Sequence, residues 1–472
     1  MKAKLYIGST CKDKKEYKEV HSPYDGRVVS MFCVCDAADA KDVLETARTA
    51  ALHVKNIPLH QRMNWLLDVA QKLESEREKI AHIITDEVGK PIAFSRVEVD
   101  RCIETIKLSA NAMLHVNGET FDTTATPSGK KSLAFYKREP VGVVLAITPF
   151  NFPLNLVAHK IAPALVAGNA VILKPTSQAP RTAYAFVKLF IESPYASHDA
   201  LSLIYSGEGV NETLITSDIP RVISFTGSVG VGREILQKAG IKKVALELGG
   251  NAATYIDVSA NIALAAKRCA MGAFINSGQV CISLQRIYVH ESVYERFAEA
   301  LVEETKSLRV GSPYDEQTFI GPMVNQAAVE KAKRWVQSAI DAGARPLCGF
   351  TCKDLLCAPT VMADVTEAMQ IVCEEVFAPI VSLIKVRGYD EAKEKMNASS
   401  YGLQSSIFCN DLSMAQRAMD ELEAGGIVIN DIPTLRFDLQ PYGGIKQSGI
   451  GKEGPYFALM DDYTQIKSVV IC

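Results

Sequence analysis

The fold is decided where the chain reads Val141-Gly142-Val143-Val144-Leu145-Ala146-Ile147-Thr148 and then Pro149-Phe150-Asn151-Phe152-Pro153. The first segment is an apolar run of strand length, and the second is a turn that leads into a helical pattern over 154–166. A second apolar strand follows at 170–173, with a helix at 182–191. Apolar strands that alternate with helices indicate an α/β fold whose parallel sheet is covered on both faces.

The segments on both sides of this stretch also have patterns of helices and strands. Residues 39–115 have helical periodicity, and residues 118–138 are rich in Thr, Ser, Gly and Lys, which suggests a hairpin excursion. Further strands are predicted, by short apolar runs, at 202–205, 222–225, 244–248 and 253–256. The pattern restarts after about residue 257, with a helix at 262–275, and a second α/β unit runs to about residue 430. A tail strand is predicted at 469–471.

The composition is that of an ordinary globular protein with a large core. The chain has 472 residues, 48% of them hydrophobic and 22% charged, and a formal net charge of -3. This charge gives no indication of nucleic-acid or membrane partners, and no apolar stretch is long enough for an export signal or a bilayer span. We therefore expect a cytoplasmic protein whose 12 cysteines are free thiols.

A candidate nucleophile lies in the run Gly278-Gln279-Val280-Cys281. A reactive cysteine needs partial exposure and electropositive neighbours, because the thiolate is the reactive form. The alternative for any single cysteine is a buried, inert thiol. The eight histidines show no pairing with cysteine or carboxylate at ligand spacing, so we expect no metal site.

Two further candidates stand at predicted strand ends, where α/β sheets bind ligands. Glu247 precedes Gly249-Gly250 and has a carboxylate that can activate water, and Asn151 has an amide that can donate to a developing oxyanion. The alternatives are a solvated turn carboxylate and an ordinary helix cap. Lys174 and the run Gly227-Ser228 also follow strands, and the latter opens a helix, which suits a pyrophosphate.

Seven motifs, in order along most of the chain, resemble the aldehyde dehydrogenase superfamily. They are Pro149-Phe150-Asn151-Phe152-Pro153, Lys174-Pro175, Phe225-Thr226-Gly227-Ser228, Glu247-Leu248-Gly249-Gly250-Asn251, Gly278-Gln279-Val280-Cys281, Glu374-Glu375-Val376-Phe377 and Pro441-Tyr442-Gly443-Gly444-Ile445-Lys446-Gln447-Ser448-Gly449. Seven ordered motifs are far more specific than any one of them.

The resemblance implies roles for these residues. Cys281 is then the nucleophile, Asn151 and the Cys281 backbone N–H stabilise the oxyanion, and Glu247 activates the water that hydrolyses the thioester. The implied cofactor residues hold either the adenosine and diphosphate side or the nicotinamide side of NADP or NAD; they are Lys174, Ser177, Gly227, Ser228, Glu375 and Phe377.

The resemblance also implies a division of the chain. A Rossmann-like dinucleotide-binding domain would comprise 1–117 and 139–248, and an α/β catalytic domain would comprise 249–430. A small β oligomerisation arm would comprise 118–138 and 455–472, while 431–454 returns to the cofactor domain. Members of this family lead us to expect a homodimer or a homotetramer.

Two departures from the family pattern inform specificity. Many NAD-preferring members have a glutamate at the position of Ser177, and its absence removes a negative charge that would repel a 2′-phosphate. In the substrate pocket, His159 replaces a bulky aromatic residue, and Arg101 and Arg436 fall near positions that face the substrate in lactaldehyde and glyceraldehyde relatives. Polar groups there favour a small hydroxylated aldehyde.

These features predict NAD(P)-dependent, hydrolytic oxidation of a lactaldehyde- or glyceraldehyde-type substrate, as in the non-phosphorylating members. Another small polar or anionic aldehyde, such as succinate semialdehyde or glyceraldehyde 3-phosphate, is the first alternative. Val280 and Phe152 stand where phosphate-binding members have arginine and tyrosine, which weakens the phosphorylated substrate. Transfer of the thioester to coenzyme A and a non-catalytic scaffold are the remaining alternatives.

Overall fold

The computed structural model describes residues 2–197 and 199–472. Its strands, in chain order, are β1 (Lys2–Ala3), β2 (Leu5–Ile7), β3 (Thr10–Lys12), β4 (Tyr17–His21), β5 (Val28–Cys33), β6 (Thr120–Asp122), β7 (Leu133–Pro140), β8 (Val143–Ile147), β9 (Ala170–Lys174), β10 (Leu201–Leu203), β11 (Val222–Thr226), β12 (Lys243–Glu247), β13 (Ala252–Ile256), β14 (Leu284–His290), β15 (Arg345–Cys348), β16 (Cys352–Lys353), β17 (Leu356–Cys357), β18 (Thr360–Ala363), β19 (Ile380–Val386), β20 (Tyr401–Gly402), β21 (Gln404–Phe408), β22 (Gly426–Ile429), β23 (Ile445–Lys446), β24 (Gly449–Ile450) and β25 (Thr464–Ile471).

The α-helices are α1 (Ala37–Val54), α2 (Leu59–Ser75), α3 (Arg77–Val88), α4 (Ile92–Ala112), α5 (Asn155–Ala167), α6 (Pro180–Ile191), α7 (Val210–Thr216), α8 (Val229–Lys238), α9 (Ile262–Phe274), α10 (Tyr294–Ser307), α11 (Gln326–Asp341), α12 (Gln370–Cys373), α13 (Tyr389–Asn397), α14 (Leu412–Glu421) and α15 (Pro455–Ala458). None of the helices in the described part of the chain is long and apolar enough to cross a membrane.

The first large sheet has eight strands in the order β24-β12-β11-β8-β9-β10-β2-β3. Its five central strands, β12 to β10 in this order, are parallel, and β24, β2 and β3 extend it in antiparallel fashion. The chain leaves β8 toward β9 and β10 and later returns to β11 on the other side of β8. The carboxyl ends of β8 and β11 therefore flank a topological switch point, where open α/β sheets bind ligands.

Helix α5 lies at this switch point and is mostly apolar, with Asn155, His159 and Lys160 as its polar residues. Each of its thirteen residues is buried, as expected of a helix that is apolar over most of its surface. The carboxylate of Glu98 on α4 accepts hydrogen bonds from the N–H groups of Leu154 and Asn155, at 2.9 and 3.1 Å. These bonds satisfy N–H groups that a helix leaves unpaired at its start.

The second sheet has seven strands in the order β15-β18-β19-β14-β13-β21-β22, and all pairs except β15 with β18 are parallel. The sequence pattern grouped the strand at 253–256 with the first unit. That grouping was wrong, because β13 pairs with β14 and β21 near the middle of the second sheet. The turn Leu248–Asn251 thus carries the chain from one sheet to the other.

Residues 118–138 and the C-terminal segment meet in a three-stranded antiparallel sheet, in the order β25-β7-β6. Strand β25 pairs with β7 along eight residues, from Thr464 opposite Pro140 to Ile471 opposite Leu133. The tail strand is longer than the three residues predicted. The prediction was too short because the earlier residues of the strand do not alternate regularly between polar and apolar side chains. The N-terminal strands β1 to β5 were not predicted, and β4 and β5 pair with each other.

The cysteines differ from expectation at one place. Cys352 and Cys357 form a disulfide across the hairpin β16–β17, so the prediction that every cysteine is a free thiol was wrong. The short hairpin places the two residues directly opposite each other, which sequence spacing alone does not reveal. Ten other cysteines are free, and Cys281 is half-buried among them.

Candidate active site

The candidate site lies where the carboxyl edge of the first sheet faces the amino edge of the second. Glu247 ends β12 in the first sheet, and Cys281 lies just before β14 in the second. Both side chains line one cavity of about 220 Å³. The structure thus brings together a thiol and a carboxyl group that are separated by the turn between the sheets and by helix α9.

Cys281 is positioned by an unusual backbone. Asn276, Ser277 and Gly278 have φ angles of 50°, 57° and 69°, a left-handed conformation that is strained for the first two. A Cβ atom at Gly278 would overlap the carbonyl of Ala378, so a side chain does not fit there. The loop therefore packs closely against the segment that contains Glu375, and it presents Cys281 to the cavity.

The thiol of Cys281 has a hydrogen-bond partner in the cavity wall. Its Sγ atom lies 2.9 Å from the hydroxyl oxygen of Tyr442. Burial raises the pKa of Cys281 to about 11, although the bond with Tyr442 and the charge of Arg436 act in the opposite direction. At neutral pH the resting thiol is therefore protonated, and it must lose its proton before it can act as a nucleophile.

Glu247 is 5% exposed, and its Oε2 atom is buried without a hydrogen-bond partner in the described residues. Burial, with the nearby carboxylate of Glu453, raises the pKa of Glu247 well above its usual range. An unpaired buried carboxyl group is costly, and such groups with perturbed pKa values concentrate at functional sites. Glu247 can act as a general base once it has released its own proton.

Asn151 follows β8 and lies beside the loop of Cys281. Its Nδ2 donates to the carbonyl of Gln279 at 3.0 Å, and Asn276 donates to the same oxygen at 3.4 Å. The amide is thus tied to the backbone two residues before the thiol, with one N–H still available. Asn155, on the first turn of α5, lines the cavity.

The residues predicted for the adenosine and phosphate side follow two parallel strands of the first sheet, β9 and β11, which flank β8. Lys174 ends β9, and burial alone lowers the pKa of its amine. Gly227 and Ser228 follow β11, and Ser228 caps α8 by accepting from the N–H of Val231 at 3.5 Å. Ser177 is half-buried in the loop after Lys174. A helix start of this kind fits a dinucleotide phosphate.

Glu375 and Phe377 lie before β19, on the second sheet. The Glu375 carboxylate accepts a hydrogen bond from the N–H of Gly250 at 3.0 Å, and burial raises its pKa to about 7. Phe377 has a φ angle of 54°, and its ring meets Phe150 edge to face at 6.0 Å. Glu375 thus contacts the turn between the sheets, and Phe377 packs on the segment that follows β8.

The predicted substrate residues form part of a buried charge cluster. Arg101 makes a bidentate ion pair with Asp438, at 2.7 and 2.9 Å, and His159 Nε2 lies 2.9 Å from the same carboxylate. Arg101 and Arg436 line the cavity, whereas His159 is buried beside them. Burial and the charge of Arg436 lower the pKa of His159, so its imidazole is neutral at pH 7.

Three further residues of this site were not singled out from the sequence: Glu453, Lys160 and Tyr442. Arg436 donates to Glu453 at 3.1 Å, and Lys160 on α5 donates to the other oxygen of Glu453 at 3.1 Å. Burial opposes ionisation of Glu453, but these cations outweigh it and lower its pKa to about 2. Tyr442 stood within a quoted motif, yet its position 161 residues after Cys281 gave no reason to link the two. An unexpected basic or acidic residue in an apolar helix, such as Lys160, was the available signal.

Comparison with known proteins shows which family the chain resembles. Residues 10–469 match the Aldehyde dehydrogenase family. The chain is 38% identical over 468 residues to the 3-sulfolactaldehyde dehydrogenase of Priestia aryabhattai, covering 99% of this chain and 97% of that protein. It is 38% identical over 473 residues to the lactaldehyde dehydrogenase of Methanococcus aeolicus, covering 99% of both.

A solved structure shows the same architecture. The NADP-dependent glyceraldehyde-3-phosphate dehydrogenase of Bacillus halodurans C-125, complexed with NADP, superposes with a TM-score of 0.97 at 32% identity, covering 100% of this chain and 98% of that one. The predicted fold class and the predicted cofactors, NADP or NAD, are thereby confirmed. The chain belongs to the aldehyde dehydrogenase family and is an NAD(P)-dependent oxidoreductase.

Proposed function

We propose that the protein oxidises a small hydroxylated aldehyde, of the lactaldehyde or glyceraldehyde type, to its carboxylate. The observation that carries this proposal is the single cavity lined by Cys281, Glu247 and the two arginines Arg101 and Arg436. A thiol and a carboxyl group supply the nucleophile and the base, and the two arginines in an otherwise mostly apolar lining favour a polar substrate. The names of the two relatives, which act on lactaldehyde and 3-sulfolactaldehyde, support this substrate class.

The chemistry follows from the groups in the cavity. Cys281 loses its proton and attacks the aldehyde carbon, while Asn151 and the backbone N–H of Cys281 donate to the resulting oxyanion. The nicotinamide, when bound, supplies the acceptor for the hydride, and the substrate is left as a thioester on Cys281. Glu247 then takes a proton from water, whose oxygen attacks the thioester and releases the acid.

The direct test measures NADPH or NADH formation with lactaldehyde, glyceraldehyde, succinate semialdehyde and glyceraldehyde 3-phosphate, compared as kcat/KM. We expect lactaldehyde or glyceraldehyde to lead. Cys281→Ala should abolish turnover, and Cys409→Ala, which alters another buried thiol, should not. Turnover that survives Cys281→Ala would eliminate the nucleophile, and strict dependence on coenzyme A would replace hydrolysis by acyl transfer.

A small anionic aldehyde is the second candidate, and the cavity arginines are the observation that favours it. Arg101 and Arg436 are paired with Asp438 and Glu453, and Lys160 adds a third cation to this cluster. Three cations against two carboxylates leave a positive excess when His159 and Glu247 are neutral. A higher kcat/KM for succinate semialdehyde or glyceraldehyde 3-phosphate than for lactaldehyde would favour this reading.

We propose that NADP is accepted and preferred, because Ser177 puts no negative charge beside the adenosine ribose. Ser177→Glu introduces that charge, and repulsion of the 2′-phosphate should lower kcat/KM for NADP at least about tenfold relative to NAD. Ser177→Gln is the matched control, since it adds the same bulk without charge. Equal loss with both variants would show that bulk, and not charge, sets the preference.

We further propose that the predicted domains keep their assigned roles. Residues 1–117 and 139–248 would hold the dinucleotide, 249–430 the nucleophile, and 118–138 with 455–472 would join subunits of a cytoplasmic homodimer or homotetramer. The eight-stranded sheet, the seven-stranded sheet and the sheet β25-β7-β6 support this division. The ten free thiols support a reducing compartment, and the disulfide between Cys352 and Cys357 does not.

A non-catalytic scaffold is distinguished by the reactivity of its thiol. Labelling of Cys281 that is slowed by bound NADPH supports an enzyme. A Cys281 that resists labelling at every pH, in a protein that binds no dinucleotide, would support the scaffold and overturn the proposed function.

A further inference from the structure

The hydroxyl of Tyr442 is fixed against the sulfur of Cys281. The two atoms are 2.9 Å apart, both residues line the cavity, and Tyr442 is 6% exposed. The backbone of Tyr442 is held in turn, because its N–H donates to the carbonyl of Glu453 at 2.9 Å and its carbonyl accepts from the N–H of Glu453. The phenol is therefore placed by its own segment and does not depend on a ligand.

A cation lies over the ring of the same tyrosine. The Arg436 guanidinium carbon is 3.8 Å from the centroid of the Tyr442 ring, and Glu453 holds that guanidinium at 3.1 Å. A cation on the face of an aromatic ring is attracted by its π electrons and draws density from them. This makes the phenol O–H a stronger hydrogen-bond donor, and it puts positive charge close to the sulfur.

The buried sulfur needs such a donor. An anionic thiolate in a desolvated cavity is costly unless a hydrogen bond or a cation stabilises it. Tyr442 is the side-chain partner of the Sγ atom in the described part of the chain. The opposite arrangement, in which the thiol donates to the phenol oxygen, would stabilise the protonated form instead.

We propose that Tyr442 is a catalytic residue whose hydroxyl donates a hydrogen bond to the thiolate of Cys281, when the sulfur attacks the aldehyde and again when it leaves the thioester. This inference rests on the proposed function. It adds a group to the reaction that the seven sequence motifs did not assign, and it gives the nucleophile and the leaving group the same stabilising partner.

The bonds and charges balance without a proton from Tyr442. The thiol proton passes to bulk water, the sulfur–carbon bond forms, and the carbonyl π pair moves to oxygen. When that pair re-forms the carbonyl, the C–H pair would leave as hydride to a bound nicotinamide, and the thioester remains. In hydrolysis, water bonds to the carbonyl carbon, Glu247 takes its proton, and the carbon–sulfur pair returns to sulfur. Negative charge resides on sulfur at the start of the first step and at the end of the last, which is when the phenol O–H stabilises it.

The test measures alkylation of the apo protein by iodoacetamide between pH 7 and pH 10, with Cys281 followed by mass spectrometry of its peptide. Tyr442→Phe removes the hydroxyl and keeps the ring. Hydrogen bonds to charged groups are strong, so loss of the hydroxyl should raise the pKa of the Cys281 thiol. We expect alkylation of Cys281 to slow by about tenfold to a hundredfold at each pH below the midpoint of the thiol's titration. Cys373 and Cys472, which are exposed, should react at unchanged rates and serve as internal references.

Tyr205→Phe is the matched control, because it removes a buried hydroxyl that donates elsewhere, to the carbonyl of Pro180 at 3.2 Å. Alkylation of Cys281 should be unaffected by it. Unchanged or faster alkylation in Tyr442→Phe would overturn the proposal, as would an equal change in Tyr205→Phe, which would indicate a general structural effect.

A second substitution guards against misfolding of the phenylalanine variant. 3-Fluorotyrosine at position 442 retains a hydroxyl that is a stronger donor, so Cys281 should alkylate faster; an unchanged rate would overturn the proposal. The assay contains neither aldehyde nor cofactor. An inactive substrate panel would therefore count against the proposed function alone, while an unshifted alkylation profile would count against Tyr442 alone.

Discussion

Burial sets the protonation states of individual groups in the cavity and next to it. The pKa values of Cys281, Glu247 and Glu375 are all raised, and desolvation is the largest cause in each case. Glu453 has a lowered pKa in the same region, because Lys160 and Arg436 pair with it. Active sites often contain two neighbouring carboxyl groups whose pKa values differ strongly. Here Glu247 can gain and lose a proton, while Glu453 remains a fixed negative charge.

The raised pKa of Glu247 predicts how thioester hydrolysis depends on pH. Below that pKa the carboxyl group holds a proton and cannot accept one from water, so the hydrolysis rate should rise with pH. Glu247→Gln should lower the steady-state rate about 10²- to 10⁴-fold and leave a single burst of NAD(P)H per subunit. Stopped-flow absorbance measures both phases. The exposed Glu303→Gln is the control, and loss of the burst itself would place Glu247 earlier in the reaction.

Glu375 predicts a pH dependence of cofactor binding. Its carboxylate must be ionised to accept ribose hydroxyls, and its pKa is about 7 in place of 4.5. The dissociation constant of NADPH, measured by fluorescence, should therefore fall as pH rises through 7, and Glu375→Gln should flatten this response.

The raised pKa of Glu375 also affects stability. The folded apo protein binds this proton more tightly than the unfolded chain does. The contribution of Glu375 to the free energy of unfolding is therefore lost as pH rises from about 4.5 to about 7.

At the scale of secondary-structure elements, the site depends on how closely the turn between β12 and β13 packs against neighbouring segments. The turn Leu248–Asn251 joins β12 to β13 and packs against the segments that hold Glu375 and Cys281. Such close approach requires glycine. A Cβ atom at Gly249 would overlap the Glu375 carboxylate, and one at Gly250 would overlap the carbonyl of Cys281.

Gly249→Ala should therefore disturb the cofactor site more than the fold. The added methyl group pushes the Glu375 carboxylate away from the Gly250 N–H, so NADPH binding should weaken about tenfold or more, since a charge-assisted hydrogen bond is lost. Gly388→Ala is the control, because nothing lies within 4 Å of its Cβ position. Titration of NADPH fluorescence with a thermal melt separates the two effects; equal affinity for both variants would contradict the prediction.

At the scale of the whole molecule, the sheet β25-β7-β6 exposes apolar side chains. Ile466, Val470 and Ile471 are 57%, 61% and 55% exposed on β25. Exposed apolar residues grouped on one strand are typical of a surface that is covered by a partner, and here the proposed partner is a second copy of the chain.

Val470→Lys should weaken that assembly without changing the subunit fold, because it places a charge where apolar contact is expected. Light scattering after size-exclusion chromatography should show a smaller species at low micromolar protein. Leu412→Lys is the control, since Leu412 is 83% exposed at the start of α14, in the unit of the seven-stranded sheet. An unchanged mass for Val470→Lys would argue against an interface on β25.

Local sequence determined most of the helices and strands and was enough to propose the reactive groups. Apolar runs such as 143–147 and helical periodicity such as that of α2 follow from side-chain spacing, and the ordered motifs predict Cys281, Glu247 and Asn151 as the reactive groups. Only the tertiary structure decided which groups meet. Tyr442 reaches Cys281, and β13 joins the second sheet, because strand pairing and loop closure bring distant segments together. These contacts depend on where the whole chain packs, and no short-range periodicity encodes them.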